Sequence, residues 1–235
     1  MLTPERITDL PEAEELEEGY YLLIDSPTLG TRKIAVENFI PPDKDIYRWD
    51  FTKSLIDEKQ GIEFVLNKNA DNYPTLNQNG LYFQRTSSNG AGQAVATLNE
   101  NLFGKTIEID YGETNIQRRY SNEQEFFAFS SGGYIYRDSS VWGLRNASSG
   151  GWNDFSAEFG ANYFSNKTLK LVVYENSKVD VYSIDGDIET KLNTSDIIEP
   201  NGYISNKIYL GSGQNATHTI GINFTVKAVR VYENE

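Results

Sequence analysis

The sequence predicts an all-β protein: a two-sheet antiparallel sandwich of the jelly-roll kind, preceded by a small N-terminal helix-turn and hairpin. Three observations lead there. Apolar and polar residues alternate at period two in many short segments, the pattern of strands buried on one face only. Gly, Asn and Asp clusters separate those segments at hairpin spacing. Helical patterning is confined to one short stretch near the start.

The chain of 235 residues allows one large all-β domain plus a small module. A domain of about 190 residues buries roughly 70% of its unfolded surface, so it folds without disulfides or metal. There is no cysteine, hence no thiol nucleophile and no thiolate metal site. A net charge of −13 argues against a basic face for nucleic acid or anionic membranes. The opening MLTPERITDLPEAEELEEG lacks the basic and apolar regions of a signal peptide. No run approaches the ~18 apolar residues that span a bilayer. Synthesis and folding in a cytoplasm are expected.

Asp9-Leu10-Pro11 is a helix-start signal with acidic residues behind it, and Glu12 to Glu18 makes two turns at most before Gly19. Tyr20 to Asp25 and Arg32 to Glu37 read as strands around a Ser-Pro-Thr-Leu-Gly-Thr turn. A helical turn and one hairpin bury too little apolar surface to stand alone, so residues 1–40 need a host surface. Leu10, Pro11, Tyr20, Tyr21, Leu22, Ile24, Ile34 and Val36 are the candidates to meet it. The alternative is a hairpin docked on its own sandwich. Residues 41–45, beginning Pro41-Pro42-Asp43-Lys44, form a stiff linker.

The sandwich is expected over 46–235. Tyr47, Trp49 and Phe51 alternate with Arg48 and Asp50; Ile107, Ile109 and Tyr111 alternate with Glu108 and Asp110. Leu169, Leu171 and Val173 follow the same rule, as do Ile222, Phe224 and Val226. Val179 to Ile184 followed by Asp185-Gly186 is a strand entering a tight hairpin turn.

Several of these segments carry a resemblance. Tyr47-Arg48-Trp49-Asp50-Phe51-Thr52, then Asn79-Gly80-Leu81-Tyr82-Phe83, resembles the opening of concanavalin A-like, laminin-G-type jelly rolls. Leu169 to Tyr174 with Val179 to Tyr182 resembles their central hairpin. Tyr209 to Gly213 and Val226 to Tyr232 resemble their closing pair. The fold hosts lectins, glycosidases and adhesion modules, so it does not choose a function. Ile7-Thr8-Asp9-Leu10-Pro11, Gly19 to Ile24 and Lys33 to Val36 together resemble the N-terminal attachment peptide of tailed-phage virion fibres. That resemblance implies a head fibre, capsid decoration or tail fibre on the virion surface, made in the bacterial host cytoplasm. It further implies capsid or tail proteins as partners, a dimer or trimer, and cell-surface or mucus glycans as ligands, with a purely structural decoration protein that binds no ligand as an alternative.

Two stretches carry candidate chemistry. Glu108, Asp110 and Glu113 form E-x-D-x-x-E, which in one glycosidase family of this fold supplies nucleophile, helper and acid/base. A retaining mechanism needs two carboxyls about 5 to 5.5 Å apart. Glu113 shares the face of the other two only if one residue bulges out, and Gly112 can be that residue. Against this stand the lead-in Asn99-Glu100-Asn101-Leu102, which lacks the aromatics of that family, and the abundance of Glu. A solvated strand face is favoured, with no catalytic residue and the glycosidase as alternative.

Trp142, Arg145 and Asn146, with Trp152, Asn153 and Asp154 across a Gly/Ser segment, pair aromatic faces with amides and carboxylates, the needs of a carbohydrate site. One or both tryptophans filling the core is the alternative. His218, the single histidine, reads as a surface residue. Asp185-Gly186-Asp187 reads as a turn rather than a calcium loop. The resemblance to lectins of this fold, some of which use calcium, implies calcium at an acidic rim without a named ligand set, and no other cofactor is expected. Asn146-Ala147-Ser148, Asn166-Lys167-Thr168 and Asn193-Thr194-Ser195 match the glycosylation pattern, which an Asn- and Thr-rich chain produces by chance.

Overall fold

A computed structural model of the chain describes residues 21–26, 30–35, 43–68, 73–84, 92–116, 124–130, 133–137, 142–146, 151–154, 162–192, 197–198, 204–211 and 222–234. The chain divides into two compact units, Met1–Asp43 and Lys44–Glu235. In the first, β1 (Tyr21–Ser26) pairs antiparallel with β2 (Gly30–Ala35), Leu22 opposite Ile34 and Ile24 opposite Arg32. The hairpin expected there is present, its second strand starting two residues earlier than the pattern suggests. The helical turn expected over 12–18, and Leu10, Pro11, Tyr20 and Val36, lie outside the described residues.

The second unit is a sandwich of two antiparallel sheets. Its strands are β3 (Asp45–Asp50), β4 (Val65–Asn67), β5 (Thr75–Asn77), β6 (Gly80–Phe83), β7 (Gln93–Thr97) and β8 (Lys105–Ile116). Then come β9 (Gln124–Ser130), β10 (Gly133–Arg137), β11 (Trp142–Asn146), β12 (Gly151–Asp154), β13 (Thr168–Val173) and β14 (Lys178–Asp185). β15 (Ile188–Lys191), β16 (Ile197–Ile198), β17 (Ile204–Leu210) and β18 (Ile222–Glu233) complete it. One sheet runs β12-β11-β10-β9-β17-β7-β4. The other runs β15-β14-β13-β8-β18-β6-β5, with β16 on β14 and β3 beside β6 along β18.

The two inner faces meet in one core. Tyr47, Trp49, Phe51, Phe64, Phe83 and Phe224 are fully buried, as are Ile107 and Ile109 of β8 and Leu169, Leu171 and Val173 of β13. Leu144, Ile208 and Leu210 come from the other sheet. Rings organise the interior: Trp49 meets Phe64 edge-on at 5.0 Å and Phe83 stacks on Phe224 at 4.6 Å. The polar ends of Trp49 and Tyr47 are satisfied. Trp49 Nε1 donates to the Ile62 carbonyl at 2.9 Å, and Tyr47 Oη accepts from the Asn99 amide at 3.2 Å. Each such side chain contributes about 1.5–3 kcal/mol by leaving water. Period-two alternation therefore has its physical outcome here, since one residue in two faces this core.

Candidate functional site

β8 lies between β13 and β18, and its outer face carries Glu108 and Asp110. Register sets a row of side chains across the sheet: Arg230, Glu108, Lys170, Tyr182 and Lys191 stand opposite one another in turn. Arg230 Nη2 reaches Glu108 Oε2 at 3.0 Å and Asp110 Oδ1 at 3.3 Å. Tyr232 donates its hydroxyl to Glu108 Oε1 at 2.6 Å, and Thr168 donates to Asp110 Oδ1 at 2.5 Å. Both carboxylates are thus fully engaged by neighbours.

The same holds farther along the sheet. Lys170 Nζ pairs with Glu189 at 2.7 Å. Asp180, only 3% exposed, takes Lys191 at 3.0 Å and the hydroxyls of Tyr174 and Tyr182 at 3.2 and 3.4 Å. Burial alone would raise the Asp180 carboxyl, but Lys191, Lys178 and Tyr174 outweigh it and hold it below its ordinary value. Tyr174 and Tyr182 are pushed up by burial and by that carboxylate.

Three residues beyond Asp110 the arrangement changes. Between the pairings Tyr111–Val226 and Thr114–Phe224, β8 places Gly112 and Glu113 against the single Thr225. This is a β-bulge, two residues opposing one. It resets the alternation, so Tyr111 and Thr114 are both buried while Glu113 is exposed. Glu113 therefore joins the outer face of Glu108 and Asp110, as the sequence required of Gly112. Crowding, not a left-handed φ, favours glycine here: a Cβ there would stand 3.2 Å from Thr225 Cβ and 3.3 Å from Lys227 Cε. β18 answers with its own extra residue between Val226 and Ala228, which leaves Lys227 exposed.

The segment before β13 is stitched to this bulge. The Tyr111 amide donates to the Lys167 carbonyl at 3.0 Å, and the Asn166 amide donates to the Gly112 carbonyl at 2.9 Å. The Thr114 amide donates to Ser165 Oγ at 3.2 Å. These bonds hold Asn166 in the left-handed region, φ 55°, where a non-glycine residue is uncommon and asparagine is favoured. The result is a cleft of about 320 Å³ lined by Asn79, Gly112, Glu113, Asn166, Thr225 and Lys227. Among the described residues, none of the five side chains in that lining has a hydrogen-bond or ion-pair partner. The cleft offers a carboxylate acceptor, an ammonium donor, and amide and hydroxyl groups of both kinds.

Of the residues singled out in the sequence, Glu113 lines the cleft, and Glu108 and Asp110 sit in the ion-pair row. Asn79, Asn166, Thr225 and Lys227 were not singled out as site residues; the only local sign was the break in the apolar alternation of β18 after Val226. For Trp142, Arg145, Asn146, Trp152, Asn153 and Asp154 the backbone ladder is described, Arg145 opposite Trp152 and Leu144 opposite Asn153. Their side chains, and His218, lie outside the described residues. Gly186-Asp187 forms the two-residue turn between β14 and β15, Gly186 at φ 60°. Among the described residues no group of three or more His, Asp or Glu side chains could hold a metal ion.

No family model matches the sequence, and no curated protein matches it either. Solved structures do share its fold. A Trypanosoma rangeli sialidase in complex with sialic acid superposes with a TM-score of 0.57 at 12% identity, over 83% of this chain and 32% of that one. An HCR/D point mutant gives 0.51 at 14% identity, over 82% and 48%. A structure described by the dependence of botulinum neurotoxin type C cell entry on two ganglioside molecules gives 0.51 at 13%, over 82% and 49%. The chain thus spans about a third to a half of those proteins' length. At such identities the likeness shows a shared, sheet-rich jelly-roll-like fold.

Proposed function

We propose that the sandwich binds a saccharide in the cleft at the β8 bulge, and that the protein displays this domain on a bacteriophage virion as a head fibre, capsid decoration or tail fibre. The observation that carries the binding reading is the cleft itself. It gathers five polar side chains with no partner among the described residues, on a sheet face whose other described charged groups are largely neutralised in pairs. Sugar hydroxyls need donors and acceptors together, fixed at short range, and Asn79, Glu113, Asn166, Thr225 and Lys227 supply both. The fold shared with a sialidase bound to sialic acid and with a toxin tied to gangliosides supports the same class of ligand.

The virion reading rests on residues 1–40. Their sequence resembles a fibre attachment peptide, and the two-stranded β1–β2 sheet is too small to be stable by its own core. Capsid or tail proteins would supply the missing surface, and a dimer or trimer would multiply weak glycan contacts into useful avidity. Leu10, Pro11, Tyr20, Tyr21, Leu22, Ile24, Ile34 and Val36 are the proposed contacts.

The test is a glycan array probed with the full chain presented multivalently, beside the variant Asn166→Ala. Binding lost in the variant while the fold is retained supports the cleft; a silent array removes the saccharide reading. Antibody labelling of assembled particles tests the mount, which fails if the particles carry no label.

A second reading has one observation in its favour. The Gly112 bulge brings Glu113 to the face of Glu108 and Asp110, as a retaining glycosidase with E-x-D-x-x-E would need. Release of reducing ends that Glu113→Gln abolishes would establish it in place of simple binding. Absence of release across polysaccharides that the protein binds would discard it.

A further inference from the structure

The cleft contains one cation and one anion that do not pair with each other. Glu113 and Lys227 both line it, yet no ion pair joins them, and neither has another partner among the described residues. Elsewhere on this sheet the charges are drawn together: Arg230 with Glu108 and Asp110, Lys170 with Glu189, Lys191 with Asp180, Lys167 with Asp185. Against those pairs, Lys227 is a described lysine of this sheet left without a carboxylate, in a chain of net charge −13.

The backbone explains how the two charges are kept in place. Glu113 is turned outward by the bulge on β8, and Lys227 by the extra residue on β18, so two irregularities flank one Thr225. The Lys227 stem passes over Gly112, where a Cβ would stand 3.3 Å from Cε. Asn166 is fixed beside them by its amide bond to the Gly112 carbonyl. The backbone positions that carry these donors and acceptors are therefore set before any ligand arrives, which lowers the part of the ordering cost that the main chain would add.

We infer that the cleft selects an acidic saccharide, one carrying a carboxylate on its sugar ring. This rests on the saccharide reading above and narrows its ligand class. Lys227 Nζ takes the ligand carboxylate, and the Glu113 carboxylate accepts from a pair of ring hydroxyls on its far side. Asn79 and Asn166 fill the remaining hydroxyl positions. A neutral sugar would leave the Lys227 ammonium without its charge partner, and an anion lacking hydroxyls would meet Glu113 with nothing to donate.

The experiment uses the full chain with matched oligosaccharides of a hexuronic acid and of a sialic acid, each as free acid and as methyl ester. The free acid of at least one pair should bind about two- to fivefold more tightly than its ester, the size of one exposed charge contact. That preference should shrink as salt is raised. Lys227→Gln should bring acid and ester to equal affinity, and Glu113→Ala should weaken both forms. Unchanged urea midpoints would show that the variants fold. Equal binding of acid and ester by the unaltered protein overturns the acidic-ligand inference and leaves the saccharide cleft standing. A preference that persists in Lys227→Gln also overturns it, because the charge is then read elsewhere. Binding of neutral glycans alone does the same, and no binding to any sugar removes both readings.

Discussion

Glu108 and Glu113 stand five residues apart on one strand and share one sheet face, but their surroundings differ in kind. Around Glu108 the ladder is regular, and register brings Arg230, Tyr232 and Lys170 to flank it. Its carboxylate and that of Asp110 are locked by Arg230, Tyr232 and Thr168 at 2.5 to 3.3 Å. Around Glu113 the ladder is interrupted twice, and the same register rule no longer delivers a partner. Regular pairing on this sheet consumes charge in structure; irregular pairing leaves charge available for a ligand. The comparison teaches that the bulge does more than bend a strand. It converts one end of an ion-pair row into an open cleft.

The largest effect should come from the inner side of the regular stretch. Ile109→Ala empties a fully buried position and should cost about 2–5 kcal/mol in urea unfolding, with saccharide binding by the surviving folded fraction unchanged. Arg230→Ala comes next. It strands Glu108 and Asp110, which are partly shielded from water, and should cost about 1–3 kcal/mol. A loss below a few tenths would show that the row is decoration.

Asp180→Asn should cost about 1–2 kcal/mol at neutral pH by removing a charged hydrogen-bond acceptor. Because the folded carboxyl lies below its ordinary value of 3.8, its contribution is complete above that pH. It is lost as pH falls through the lower folded value, so the gap between parent and variant should close in acid. A gap that persists or widens there would contradict the assigned direction.

Gly112→Ala places a methyl group at 3.2 to 3.3 Å from Thr225 and Lys227. It should cost about 1 kcal/mol of stability, with a clear drop in saccharide binding because both neighbours line the cleft. The smallest stability effect belongs to Glu113→Gln, within about 0.5 kcal/mol, since the side chain is exposed and has no partner among the described residues. If Glu113→Gln destabilises as much as Arg230→Ala, the contrast between the two halves of β8 is lost.

Much of this was legible from residues alone, for a local reason. Alternation at Tyr47-Trp49-Phe51, Ile107-Ile109-Tyr111 and Leu169-Leu171-Val173 is a property of neighbours in sequence, and all nine side chains are buried. The Gly112 bulge was legible too, because a glycine after Tyr111 offers the one place where the phase can slip. Arg230 could not be read as the partner of Asp110, for 120 positions separate them. Asn166 showed only as part of a glycosylation-like triplet, and nothing local says that its amide closes on the Gly112 carbonyl.

What the sequence determined by itself is the strand periodicity, the absence of thiol chemistry, the acidic surface and the one weak point in β8. Each follows from side-chain chemistry at fixed spacing along the chain. Which carboxylates are neutralised and which remain open was decided by tertiary structure. Register between strands far apart in sequence chooses every charge's neighbour, and a single extra residue on either strand changes that choice.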